Sequence, residues 1–549
     1  MSDFDVIVIG GGPAGSTCAA YLAMRGHTVC LMDREPGTRH RVGESLLPSM
    51  MPILDDFGLI DEVEAQGFAK KTGGTFVWGK SREPWDVLFS NNPFLPYPYA
   101  YHVDREIFDD LLLRHAQRRG VDVRRGWKVD APVLEGERVT GVRVTPQGGS
   151  STTVSARFVV DASGPDSVLG KQVTERLYDE RMRQVAFYRY YEGTKGPEGH
   201  RAGHVLIESN PWGWFWYIPM DGKALGDANV GLVSGQEFKD EYRELGLEAF
   251  YARALAASPM MQELMGDQAT PITEMRAIKD WAYTCDRTSG PGWFLAGDAA
   301  AFLDPLLSSG ATMAMLAGYS ASVCIHTAIE QPEREEAASA FYTANYRRMY
   351  EVTRDFLHYF YAGNSQGRSE DMFWRARKVL NLGENVGASQ AFCFLVNTLP
   401  ANPHPALRKQ IHMYMQFMDQ VEHPVDEMTA ALDGTQRIAG KEFTDTLAAH
   451  VVPLLNGQLA ESWLIDGASH TLQPVRGVSF DEDRPVFSST SSWLLGRNIH
   501  PLDDDAWALA QDLDGRSWGE LAAQGARESV LQRMVDEHLV LFEEQSPTG

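Results

Sequence analysis

The chain has 549 residues, and its 50 basic against 74 acidic side chains give a formal net charge of −24. Apolar residues make up 44% and charged residues 23%, the proportions of an ordinary globular protein, which excludes disorder, collagen and coiled coil. So acidic a chain repels phosphate backbones, and nucleic acid is not an expected partner. At roughly 150 residues per domain the length suggests three or four units. Five cysteines (Cys18, Cys30, Cys285, Cys324, Cys393) show neither CxxC nor metal-ligand spacing, the pattern of reduced thiols in a reducing compartment. No stretch approaches the ~20 apolar residues of a membrane span, and the N-terminus lacks the basic start of a signal peptide. A cytoplasmic chain without metal or membrane attachment is expected.

In chain order, residues 5–9 are a β-branched run typical of a fully buried parallel strand. Gly10, Gly12 and Gly15 follow as GxGxxG, with Pro13 and Ala14 between them. A helix is expected over 16–25, closed by Gly26, and then a strand over 28–32 ending in Asp33. In such a unit Gly10 permits the tight turn, Gly12 admits a pyrophosphate, and Gly15 lets helix approach strand. The helix N-terminus faces the phosphates with free N–H groups, and Asp33 suits ribose hydroxyls. An adenine dinucleotide cofactor is implied.

Further strands are expected at 74–78, 158–161 and 293–296. Alternating aromatic and polar residues between about 184 and 278 predict an antiparallel sheet with one covered face. Residues 336–361 predict one long amphipathic helix, packed on the cofactor domain or partly a lid. The fold class is therefore α/β: a Rossmann-type domain with an antiparallel-sheet substrate subdomain over 1–370. A mainly helical C-terminal region over 371–549 completes it, with 507–542 expected to form a small winged-helix-like unit.

Three short segments separate FAD from NAD. Arg105 precedes a helix within 103–109, Asp161-Ala-Ser-Gly164 ends one strand, and Gly297-Asp298-Ala-Ala300 ends another. Over residues 5–330 the chain resembles FAD-dependent monooxygenases of the p-hydroxybenzoate hydroxylase type. The resemblance implies FAD held by Arg41, Arg105, Asp161, Gly164, Pro305 and Asp298, with Asp298 on the ribityl chain. Trp214, Trp216, Ile218 and Pro219 match WxWxIP, and Phe302, Pro305, Ser308 and Gly310 match FxxPxxSxG. Lys71, Gly73, Phe76, Trp78 and Gly79 match KxGxxFxWG, preceded by the stretch RVGESLLP at 41–48. These resemble the phenolic and pyrrolic, carrier-protein-associated branch of the flavin-dependent halogenases.

That resemblance implies a chemistry. FAD reduced by a separate flavin reductase reacts with O2 to a C4a-hydroperoxide, and chloride or bromide attacks it to give hypohalous acid. Ser308, Ser309 and Gly310 would hold the halide on backbone amides at a helix start, with Gly310 in a conformation open only to glycine. Lys71 would receive the oxidised halogen and pass it on, whereas Lys70 reads as a solvated neighbour. Trp214, Trp216, Ile218 and Pro219 would wall the acceptor from the flavin, or only pack. Leu307 stands where the tryptophan-halogenase branch carries a glutamate, which argues against free tryptophan and for a phenol, pyrrole or enol of natural-product or antibiotic biosynthesis. No base for a phenol is identifiable; His102 and His200 are weak candidates. The sequence leaves open whether Asp304 bonds the flavin. It also leaves open whether the acceptor rides on an acyl or peptidyl carrier protein, for which Arg347-Arg348 and residues 374–378 offer basic surface. An FAD-dependent aromatic hydroxylase on the same scaffold is the alternative.

Overall fold

The computed structural model describes residues 2–38, 40–78, 83–91, 97–365 and 370–377, then 450–453, 458–466, 469–479, 499–502, 504–511, 530 and 540–543. The chain divides into two compact units, Met1–His404 and Pro405–Gly549. The short helix Met372–Arg377, beyond the expected boundary near residue 370, lies in the first unit.

In the first unit Phe4–Ile9 runs parallel to both Val29–Asp33 and Thr152–Asp161, with Ile9 level with Met32 on one side and Asp161 on the other. Trp293–Leu295 extends the sheet beyond Thr152–Asp161, and Asp122–Arg125 extends it beyond Val29–Asp33. Val6, Ile7 and Val8 are wholly buried, because helices cover a parallel sheet on both faces. Two of those helices, Pro13–Met24 and Gly310–Glu330, pack closely. A Cβ on Gly318 would collide with the Ala14 carbonyl, so glycine sets their approach.

Gly310–Glu330 is long and apolar enough to cross a membrane by composition, which the reading of the sequence overlooked; 89% of its apolar window is buried inside the fold. The expected amphipathic helix runs over Glu335–Ser365. Its tyrosines are core: Tyr342 donates to the Leu295 carbonyl at 2.7 Å and Tyr346 to the Gly297 carbonyl at 3.0 Å. Those contacts favour packing over a lid.

The second sheet of this unit contains the expected antiparallel strands. Its centre is Arg176–Glu192, Gly226–Gly235, Gly213–Lys223 and His204–Asn210, paired in that order. Beyond it Gly73–Val77 runs parallel to His204–Asn210. A separate ribbon pairs Ala69–Lys71 with Ala100–His102.

In the second unit Gln458–Asp466 and Thr471–Ser479 form a hairpin, joined by Ile499–Leu502. His450–Pro453 pairs with Val540–Glu543, and Asp504–Gln511 is a helix. The described residues thus carry strands that the expectation of a mainly helical region did not include; the alternation of Gln458–Asp466 suits a sheet face. Most of 507–542 lies outside the described residues.

Candidate functional site

A cavity of about 730 Å³ in the first unit runs from the glycine turn to the expected halide turn. At its head Gly10 has φ +101, and a Cβ there would collide with the Ala162 carbonyl. A Cβ on Gly15 would collide with the Gly10 carbonyl, whereas a Cβ on Gly12 would meet nothing within 4 Å. Gly10 and Gly15 therefore make the turn, and Gly12 leaves room beside Pro13 and Ala14 at a helix N-terminus open to the cavity. That is the shape a pyrophosphate requires. Asp33 also lines the cavity, and its Oδ2 accepts from the Gly11 amide at 2.7 Å. The residues present fit FAD.

Arg41, Arg105, Gly164, Asp298 and Pro305 line the same cavity. Asp104 caps the helix Arg105–Arg118 through the Glu106 amide at 2.8 Å. Arg105 donates to both carboxylate oxygens of Asp109, at 2.8 and 2.9 Å, and to the Val42 carbonyl at 3.0 Å, so it holds the 41–44 backbone in place. Burial pushes the Asp298 carboxyl up to about 6, against the pull of Arg105 and of Arg176, another lining residue. Asp161 departs from the expectation. Its carboxylate is wholly buried and accepts from the Ser163, Leu169 and Gly170 amides at 3.0, 2.7 and 3.2 Å. Those bonds occupy it in shaping the turn that Ala162, Ser163 and Gly164 present to the cavity.

At the far end Ser308 closes the 3-10 turn Pro305–Leu307, and Gly310–Glu330 begins two residues later. The first helical bond recorded there is from the Met313 amide to the Ser309 carbonyl at 2.8 Å. The N–H groups of Gly310, Ala311 and Thr312 precede it and have no carbonyl within the helix. Ser308, Gly310 and Ala311 line the cavity, so this positive helix end faces it and suits an anion. Ser309 is buried behind, its hydroxyl without a partner. Gly310 corrects an expectation. Its φ is not positive and a Cβ would meet nothing within 4 Å; the left-handed residue is Ser308, at φ +55. Glycine at 310 leaves space rather than permitting a turn.

The WxWxIP residues split. Trp216 and Ile218 line the cavity; Trp214 and Pro219 do not. Trp216 donates to Asn229 at 3.0 Å, and Asn229 donates to buried Glu44 at 2.8 Å, which also accepts from Tyr190 and from the Gly43 amide. Trp214 instead donates to Tyr361 at 2.6 Å, deep in the core. Asp304 accepts from the Leu306 amide at 2.9 Å, from Gln184 at 2.7 Å and from Tyr361 at 2.8 Å, so its carboxylate is engaged within the protein.

Lys71 does not line the cavity: it is fully buried, and its Nζ has no hydrogen-bond partner and lies 5.8 Å from the centre of the Phe89 ring. Burial brings its amine down to about 7. Lys70 is exposed and paired with Glu64 at 2.7 Å, as a solvated neighbour should be. The ribbon that carries Lys71 nevertheless lies beside the expected halide turn. Ser308 donates to the Ser45 hydroxyl at 3.2 Å, Ser45 pairs with His102 through the backbone, and His102 and Lys71 project from one face of their ribbon. Glu44 and Ser45 were missed as site residues although both lie in the quoted 41–48 stretch; Arg176 and Tyr188 left no comparable signal.

His200 is exposed and hydrogen-bonds Asp86 at 3.1 Å. Of the basic candidates, Arg347 is paired with Asp286, Arg375 is exposed, and the side chains of 377 and 378 are outside the described residues. Away from the cavity His27, His326 and Glu330 place ligand atoms within 4.8 Å of one another, a clustering that linear spacing concealed. There the two imidazoles hydrogen-bond each other at 2.7 Å.

Residues 3–338 match the family described as FAD binding domain. The chain is 36% identical over 381 residues to a tryptophan 2-halogenase of Chondromyces crocatus, covering 69% of this chain and 71% of that one. It is 31% identical over 370 residues to a flavin-dependent halogenase of Armillaria mellea, covering 63% and 72%. Among solved structures, the myxobacterial chondrochloren halogenase CndH matches with TM-score 0.65 and 39% identity, over 74% of this chain and 92% of that one. The flavin-dependent halogenase CmlS matches with TM-score 0.73 and 29% identity, over 99% and 97%.

Proposed function

Because the chain belongs to the FAD binding domain family and, within it, to the flavin-dependent halogenases, we propose that it chlorinates an electron-rich aromatic acceptor, a phenol above all, through Lys71. The observation that carries the reading is Lys71 itself. Its buried amine, without a hydrogen-bond partner, lies on one ribbon face with His102, whose backbone pairs with Ser45. The Ser45 hydroxyl accepts from Ser308 at the cavity end that suits an anion.

FAD, when bound and reduced by a separate flavin reductase, supplies the activation of O2 that oxidises halide to hypohalous acid. The remaining work belongs to this chain. The amides at 310–312 hold the halide by charge and direction. Trp216, fixed through Asn229 to Glu44, closes the cavity wall against the acceptor. Lys71 takes the oxidised halogen before it diffuses. Burial serves that task, because an amine brought down to about 7 is substantially neutral, and only the neutral form is nucleophilic.

Leu307, wholly buried at the halide turn, supplies no carboxylate to polarise an acceptor. This favours an acceptor activated by its own hydroxyl. An indole is the competing acceptor, since the Chondromyces crocatus relative is named a tryptophan 2-halogenase. The reading extends to natural-product biosynthesis and to an acceptor carried on a carrier protein, with Arg375 as exposed basic surface.

The test is turnover with reduced FAD, O2 and chloride against phenols, pyrroles and indoles, free and carrier-bound. A chlorine isotope pattern in the product mass supports the reading. A gain of one oxygen instead would make the enzyme a hydroxylase.

A further inference from the structure

Buried polar atoms without partners are few in folded proteins and costly, yet three neighbouring side chains here carry them. They are Lys71 at Nζ, His102 at both ring nitrogens and His204 at Nε2; the Gly203 carbonyl lies near the His102 ring without reaching hydrogen-bond geometry. His204 stands level with Gly73 in the parallel pairing, and its Nε2 lies 2.8 Å from where a Gly73 Cβ would sit. A Cβ there would also collide with the Val87 carbonyl, so the glycine two residues after Lys71 makes room for both that backbone and this imidazole. Lys71 precedes Gly73 by two residues and His204 stands level with Gly73, so the two side chains share one compartment although no hydrogen bond joins them. A charge on Lys71 would depress both imidazoles.

The tautomer of His204 follows from its partners. Thr75 Oγ1 lies 2.7 Å from Asp86 Oδ1 and 2.8 Å from His204 Nδ1. Burial works against the Asp86 charge, but hydrogen bonds from Arg201, Thr75 and His200 hold the carboxyl at about 2. The carboxylate only accepts, so it takes the single Thr75 proton, and the Thr75 oxygen accepts from His204 Nδ1–H. Nε2 is left with its lone pair, inside the compartment. Arg201 fixes Asp86 in turn, donating to its two oxygens at 2.9 Å each.

We propose that His204 is the base of the halogen-capture step, positioned by Thr75 and Asp86 and acting on the amine of Lys71. The inference rests on the halogenase reading above. The Lys71 nitrogen attacks the halogen of hypohalous acid, so that an N–halogen bond forms, the O–halogen bond breaks and hydroxide leaves. The nitrogen gives one proton to His204 Nε2, and the imidazolium returns it to hydroxide as water. Chlorine withdraws electron density and makes that N–H far more acidic than an ammonium's, so a weak base suffices. His204, which burial brings down to about 4, is one: it is neutral before the step and gives up readily the proton it takes.

The experiment compares wild type, Lys71→Ala, His204→Asn, Thr75→Ser and Thr75→Val. It follows FAD affinity, oxygen uptake, hypohalous acid trapped by a small diketone, and halogenated acceptor. An asparagine amide can still donate to Thr75 but carries no base. His204→Asn should lower acceptor halogenation about 100-fold or more, with FAD affinity and oxygen uptake near wild type and released hypohalous acid raised. Thr75→Ser should retain most of the rate, and the isosteric Thr75→Val should lose about tenfold. If wild type halogenates, Lys71→Ala does not, and His204→Asn matches wild type, the role of His204 is overturned alone. If wild type halogenates nothing, the halogenase reading falls first. Should His204→Asn lose FAD through misfolding, equal rates in the two Thr75 variants overturn the proposal.

Discussion

Trp214 donates its indole N–H to the hydroxyl of Tyr361 at 2.6 Å, and that hydroxyl donates in turn to Asp304 at 2.8 Å. Asp304 caps the turn that ends at Ser308 through the Leu306 amide. The aromatic motif thus reaches the proposed halide turn through the core, and Trp214 packs there while Trp216 faces the cavity.

Tyr361→Phe should expose that dependence. It leaves the Trp214 N–H and one Asp304 contact without a partner in a fully buried site. The expected loss of stability is about 1–3 kcal/mol in denaturant unfolding. A looser turn should also raise the halide concentration needed for half-maximal product. Unchanged stability and halide dependence would separate Trp214 from the turn.

Gly310 offers a graded test. Its backbone is unstrained and open space surrounds the missing Cβ, so Gly310→Ala should fold and bind FAD normally. Gly310→Val should project two methyl groups over the amides and raise the halide requirement while oxygen uptake continues. A variant series in which Ala and Val behave alike would move the halide elsewhere.

Asp298 predicts a pH dependence. Its folded-state carboxyl stands at about 6, above the ordinary carboxylate range, because burial disfavours the charge. The folded state then holds its proton more tightly than the unfolded state. Stability of the FAD-free protein should therefore fall as pH rises from about 4 to 6, where the two pKa values lie, and level off above. Asp298→Asn should remove this component, roughly 3 kcal/mol across the window. The same variant should weaken FAD binding tenfold to a hundredfold, if the ionised carboxylate holds the cofactor.

Motifs that are contiguous in sequence were legible as chemistry. The turn from Gly10 to Gly15 and the turn from Ser308 to Gly310 each fall within six residues, and both contribute to the cavity lining. Roles that depend on distant partners were not. Asp161 looked like a cofactor ligand because it ends a strand, but three amides within nine residues claim its carboxylate. Thr75, Asp86 and His204 meet across separations of 11 and 129 residues, and no local pattern marks them. The backbone angle at Gly310 was misjudged because glycine in a motif serves space as readily as conformation.

The central claim is that Lys71 captures the halogen, and one measurement addresses it most directly. Lys71→Ala, Lys71→Arg and the control Lys70→Ala are each given reduced FAD, O2, chloride and acceptor, and the chlorinated product is counted against oxygen consumed. Lys71→Ala should consume oxygen and release hypohalous acid or peroxide while making almost no chlorinated product. Lys71→Arg should fail nearly as badly, since a guanidinium stays charged and is not nucleophilic. Lys70→Ala, which removes only an exposed pair with Glu64, should stay near wild type. Chlorination by Lys71→Ala at the wild-type rate per oxygen consumed would contradict the account.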